Sequence, residues 1–80
     1  MSVMDIVLEE LKELSGDRTV PKNVRAETDR AIVILESGSE VNIKKASVMQ
    51  ILDEISNDPN LPQYTRTQIW GIVSMLEKVE

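Results

Sequence analysis

The chain has 80 residues, 9 basic and 14 acidic side chains, a formal net charge of −5, and neither cysteine nor histidine. That composition excludes disulfides, thiolate nucleophiles, Cys-based zinc sites, imidazole ligands and bases, and Ser-His-Asp triads. The acidic balance argues against direct binding of nucleic acid, where affinity comes from clustered Lys and Arg.

One domain over residues 1–80 is expected, near the low end of what folds unaided, so self-association is a natural source of added stability. Met1-Ser2-Val3-Met4-Asp5 lacks a basic leader region, and no apolar run approaches a membrane span. The expectation is a soluble cytoplasmic protein with no membrane contact.

The first predicted element starts at Ser2, with Asp5 three residues on as a short capping-box partner. Met4, Val7, Leu8, Leu11 and Leu14 then recur at helical spacing. Ser15-Gly16-Asp17 ends this helix, with Gly16 suited to a left-handed terminal residue. Pro21 suits the first turn of a second helix, whose stripe is Val24, Thr28, Ala31, Ile32 and Leu35. The run Ala31-Ile32-Val33-Ile34-Leu35 is apolar all round, so it either lies deep in the core or meets a second subunit.

Ser37-Gly38-Ser39 reads as a linker over 37–41. Lys44 and Lys45 open a third helix against the sign its dipole favours, available to an acidic partner or a phosphate. Its stripe is Val48, Ile51, Leu52 and Ile55, and Ser56-Asn57-Asp58 ends it, with Asn57 in the left-handed role. Pro62 opens the fourth helix, striped by Thr65, Ile69, Ile72, Val73 and Leu76.

Sliding the sequence on itself by 41 positions lays residues 7–39 on 48–80 with nine identities: Val7/Val48, Leu11/Leu52, Glu13/Glu54, Ser15/Ser56, Asp17/Asp58, Pro21/Pro62, Arg25/Arg66, Leu35/Leu76 and Glu36/Glu77. One helical hairpin is written twice, at about 2–37 and 42–79. The expected fold is all-α, an antiparallel four-helix bundle with pseudo-twofold symmetry, because neither hairpin buries its apolar face alone. Two stacked hairpins of a HEAT-like solenoid are the alternative.

Three features invite a functional reading. The repeated loop motif Asp17, Pro21, Arg25 and Asp58, Pro62, Arg66 reads as structural: Asp holds its loop backbone, Val20 or Leu61 plugs the hairpin, and Arg reaches back to Asp. The carboxylates Glu9, Glu13 and Asp53 offer a weak Mg²⁺ site for an enzyme, ranked last; no catalytic, metal or cofactor residue is assigned. The third feature is an asymmetry: Asn23, Asp29 and Arg30 of the first copy become Tyr64, Trp70 and Gly71 in the second. Either helix four is the most buried of the four, with Gly71 admitting a neighbouring helix, or Tyr64, Arg66, Trp70 and Met75 form a contact surface.

From Leu52 to Pro62, then Tyr64-Thr65-Arg66-Thr67 and Ile69-Trp70, the sequence resembles the small archaeal proteins of uncharacterised protein family 0147. That resemblance implies an archaeal, all-helical, four-helix cytoplasmic protein and carries no activity, cofactor or site residue. The expected function is therefore a non-enzymatic module for a protein partner or for self-association into a homo-oligomer. The alternative is an accessory of a nucleoprotein complex that touches its protein components.

Overall fold

A computed structural model describes residues 2–79; Met1 and Glu80, the ends of the expected 1–80 unit, lie outside the described residues. Four helices follow one another: α1 (Val3–Gly16), α2 (Lys22–Leu35), α3 (Val41–Ser56) and α4 (Gln63–Glu77), with no strand among the described residues. Their starts follow local chemistry. The Ser2 hydroxyl accepts from the Asp5 amide at 3.1 Å, and the Asp5 carboxylate accepts from the Ser2 amide at 3.2 Å, closing the expected capping box. Glu40 caps α3 by accepting from the Asn42 amide at 3.0 Å.

Pro21 and Pro62 stand one residue before α2 and α4, and their carbonyls accept the Arg25 and Arg66 amides at 3.0 Å. Here a proline's missing N–H costs nothing.

The helix ends differ from expectation. No described residue has a positive φ; Gly16 is the last residue of α1, and Asn57 is right-handed at φ −90°. The ends instead tighten into i→i+3 bonds, Asp17 N to Leu14 O and Asn57 N to Glu54 O, both at 3.2 Å. Side chains help: Ser56 Oγ and Asn57 Nδ2 both donate to the Asp53 carbonyl, at 2.8 and 3.1 Å.

Packing runs in a ring. α1 contacts α2, α2 contacts α3, α3 contacts α4, and α4 returns to α1; the diagonal pairs bring no Cα atoms within 8 Å of each other. The expected stripes fill the interior: Val7, Leu11, Leu14, Val24, Ala31, Leu35, Val48, Ile51, Leu52, Ile55, Ile69, Ile72 and Leu76 are all buried. Val20 and Leu61 plug the two loops from beneath, as expected. Thr28 and Thr65 are fully buried as well. Thr28 returns its hydroxyl to the Val24 carbonyl at 2.9 Å, whereas the Thr65 hydroxyl has no protein partner.

The two loops share one turn. Asp17 Oδ1 accepts from the Thr19 amide at 2.9 Å, Asp58 Oδ1 from the Asn60 amide at 2.8 Å, and Val20 and Leu61 close each turn onto the Asp carbonyl. Both carboxyls are held below the ordinary carboxylate value. Asp17 is lowered by the Thr19 hydroxyl and amide, and Asp58 by the Asn23 side chain and the Asn60 amide.

A depressed folded-state pKa means stability fully present above the unfolded value of about 3.9 and lost as pH falls through the lower folded value. Thermal melts between pH 5 and pH 2 are therefore expected to lose midpoint less steeply for an Asp17→Asn/Asp58→Asn variant than for the native chain. Parallel slopes for the two would remove these carboxylates from the acid response.

Candidate interaction surface

The outward surface of α4 begins with its core stripe. Thr65, Ile69, Ile72 and Leu76 face inward, which obliges residues half a turn away to face out. Tyr64 is 71% exposed and Trp70 54% exposed, so the only two aromatic residues of the chain both lie at the surface. Neither aromatic of α4 is therefore buried in the core. The other two expected contact residues are partly withdrawn. Met75 is half-buried against the core cluster, and the half-buried Arg66 is committed elsewhere.

Arg66 does not pair with the Asp58 carboxylate. Its Nε donates to the Ser56 carbonyl and its Nη2 to the Asp58 carbonyl, both at 3.0 Å. A guanidinium fork thus spans the last carbonyl of α3 and the Asp58 carbonyl just beyond it, at the negative end of the helix dipole. Among the described residues the equivalent Arg25 makes no such bond, and its buried Nε has no partner. Asp58 binds across the repeat instead, its Oδ2 accepting from Asn23 Nδ2 at 3.0 Å. The repeated Asp–Arg motif is therefore unequal in its bonding: both Asp residues hold their own turns, but only Arg66 bonds to backbone carbonyls.

Lys44 and Lys45 are half-buried and serve the same purpose at two other helix ends. Lys44 Nζ donates to the carbonyls of Leu35, the last residue of α2, and Ser37, just past it, at 3.2 and 3.0 Å. Lys45 Nζ donates to the Val79 carbonyl beyond α4. No helix carries a basic residue in its own last turn, so cations arriving from other segments complement the dipoles. The expected offer of these lysines to a phosphate or acidic partner is corrected accordingly.

Gly71 is corrected as well. A Cβ built there would meet nothing within 4 Å, so no neighbouring helix of the chain presses against it. Among the described residues no three acidic side chains gather to hold a metal ion; Glu9, Glu13 and Asp53 do not form such a group. No described helix is long and apolar enough to cross a membrane.

Two surface features escaped the sequence reading. Ile43 is 61% exposed at the start of α3, one position before the lysines and off the Val48–Ile51–Ile55 stripe. The spacing from Ile43 to Val48 is the signal that separates it from the core. The second is a groove of about 430 Å³ between α2 and α3, lined by Arg30, Ile34, Ser47, Gln50, Ile51 and Glu54. Val33, 68% exposed, is the one outward member of the Ala31–Leu35 run, which otherwise turns toward the core.

Comparison with known proteins gives a consistent outcome. The model of an uncharacterised protein family, UPF0147, matches residues 2–79. A UPF0147 protein of the archaeon Methanocaldococcus jannaschii is 52% identical over 71 residues, 88% of this chain and 76% of that one. Two crystal structures share the fold. One is a protein from the uncharacterized family UPF0147 from Thermoplasma acidophilum (TM-score 0.93, 38% identity, 98% of this chain and 93% of that one). The other is the protein of unknown function MMP1188 (TM-score 0.90, 44% identity, 98% and 90%).

Proposed function

We infer the function from the surface alone, because the chain belongs to the uncharacterised protein family UPF0147. It is a non-enzymatic, cytoplasmic interaction module that meets protein through the outward face of α4. The scaffold is an antiparallel bundle of two repeated hairpins; the closed ring of helix contacts and the matching loop turns support that reading over a stacked solenoid.

The observation that carries the function is the placement of Trp70 and Tyr64. Exposed Trp and Tyr are enriched in protein interfaces and dominate binding energy where they are buried by a partner. In the first copy the same positions hold Asp29 and Asn23, whose side chains bond within the fold, Asp29 to Ser15 and Asn23 to Asp58. Among the described residues no side-chain hydrogen bond occupies Tyr64 or Trp70 in the second copy. The lack of His and Cys supports the non-enzymatic reading.

The test is affinity capture from archaeal lysate with the native chain and with Trp70→Glu. The native chain is expected to retain a protein that the variant loses, while their circular dichroism spectra coincide. Equal recovery by both would reject α4 as the contact face.

A further inference from the structure

The exposed face of α4 has a shape. At about 100° per residue, Trp70 and Tyr64 fall roughly 120° apart around the helix, and Thr67, Gly71 and Ser74 fall between them. All five are exposed. The face is thus low along its middle and raised at both edges by aromatic rings.

Gly71 lies in the low strip between the rims, about 20° around the helix from Tyr64, in a helix interior where glycine is disfavoured and where nothing among the described residues comes within 4 Å of a Cβ built on it. Glycine suits a site where a second backbone comes close, and here that backbone is not the chain's own. Charge is distributed to match. From Thr67 to Leu76 there are ten consecutive residues without a charged side chain, the longest such run in a chain of net charge −5. Two like-charged copies repel least across a neutral face.

We propose that this face binds a second copy of itself, α4 against α4, antiparallel about a twofold axis passing near Gly71 and Ile72. The proposal rests on the interaction reading above and names its partner. The antiparallel sense follows from charge. About that axis the first turn of each α4, which carries no acidic residue, lies beside the last turn of the other, which carries Glu77 and no basic residue. The helix dipoles oppose in the same favourable sense. A twofold interface is self-complementary, so each Trp70 rim settles over the low middle of the partner helix.

Sedimentation velocity from low micromolar to near-millimolar concentration tests this with four chains: native, Trp70→Glu, Gly71→Leu, and Val33→Glu on the opposite hairpin. The native chain and Val33→Glu are expected to reach twice the monomer mass. Trp70→Glu and Gly71→Leu are expected to raise the dissociation constant at least tenfold. Gly71→Leu is also expected to raise the melting temperature measured at monomer concentrations, because its side chain meets open space in the monomer.

Opposite signs for fold and association at one residue distinguish an interface from a packing position. A native chain that stays monomeric, or a dimer equally weakened by Val33→Glu, overturns the proposal. If Trp70-dependent capture of another protein persists alongside a monomeric native chain, the second-copy partner is wrong and the α4 reading stands. If capture is also independent of Trp70, both fall.

Discussion

Ile69→Ala is expected to destabilise the fold by about 3 kcal/mol, whereas Trp70→Ala, one residue further along α4, is expected to cost below about 1 kcal/mol. The smaller side chain carries the larger effect because it is fully enclosed, 0% exposed, while Trp70 is 54% exposed. Removing Ile69 takes apolar atoms from the centre of the helix ring and leaves a cavity its neighbours fill only in part. Removing Trp70 mainly returns surface to water that already reaches it. In a domain of this size 1 kcal/mol moves the melting temperature by roughly 4–8 °C, so the two variants separate clearly in thermal or urea melts. The single tryptophan supplies an independent reading: emission from the native monomer is expected at the long wavelengths of a hydrated indole. A loss at Trp70 equal to that at Ile69, with blue-shifted native emission, would place Trp70 in the core and remove the basis for the interaction face.

Arg66→Ala is expected to cost about 2 kcal/mol, and Arg25→Ala below about 1 kcal/mol, although the two occupy equivalent places in the repeat. Arg66 donates to the carbonyl of Ser56, the last residue of α3, and to that of Asp58 just beyond; its loss removes the Ser56 bond and leaves the Asp58 carbonyl only the Leu61 amide. Arg25 makes no corresponding bond, so its removal takes away little beyond packing and its attraction to Asp17. Arg66→Lys is expected to recover only part of the loss, since an ammonium lacks the planar fork that spans two acceptors. Urea melts of the three variants measure this directly. Equal costs at Arg25 and Arg66 would show that the two loops are braced alike.

Much of the molecule is legible in the sequence, for a local reason. Apolar residues three and four apart define a helix face wherever the helix packs, so the four stripes identify nearly all of the buried side chains. The Ser2–Asp5 capping box and the Asp17 and Asp58 turns involve residues within three positions of one another, and the Val20 and Leu61 plugs follow from the turns. The repeat itself is a property of the string and needs no coordinates.

What the sequence does not determine lies between segments far apart in the chain. Lys44 reads as a poor residue for its own helix start, and becomes useful only because the carbonyls of Leu35 and Ser37 end nearby. Lys45 and Arg66 likewise answer dipoles of other helices, and Asn23 finds its partner 35 residues away in Asp58.

The candidate face was half visible. The exchange of Asn23, Asp29 and Arg30 for Tyr64, Trp70 and Gly71 marks the place, but an aromatic at the edge of a helical stripe fits core and surface equally well. The sequence alone determined that there are four helices, which of their faces are apolar, and how the loops close, because hydrogen bonding and side-chain periodicity act over a few residues. Only the tertiary structure decided that Trp70 and Tyr64 face outward and that Gly71 meets nothing. Those outcomes depend on how much of each helix its neighbours cover, which is a property of the packed ring and not of any one segment.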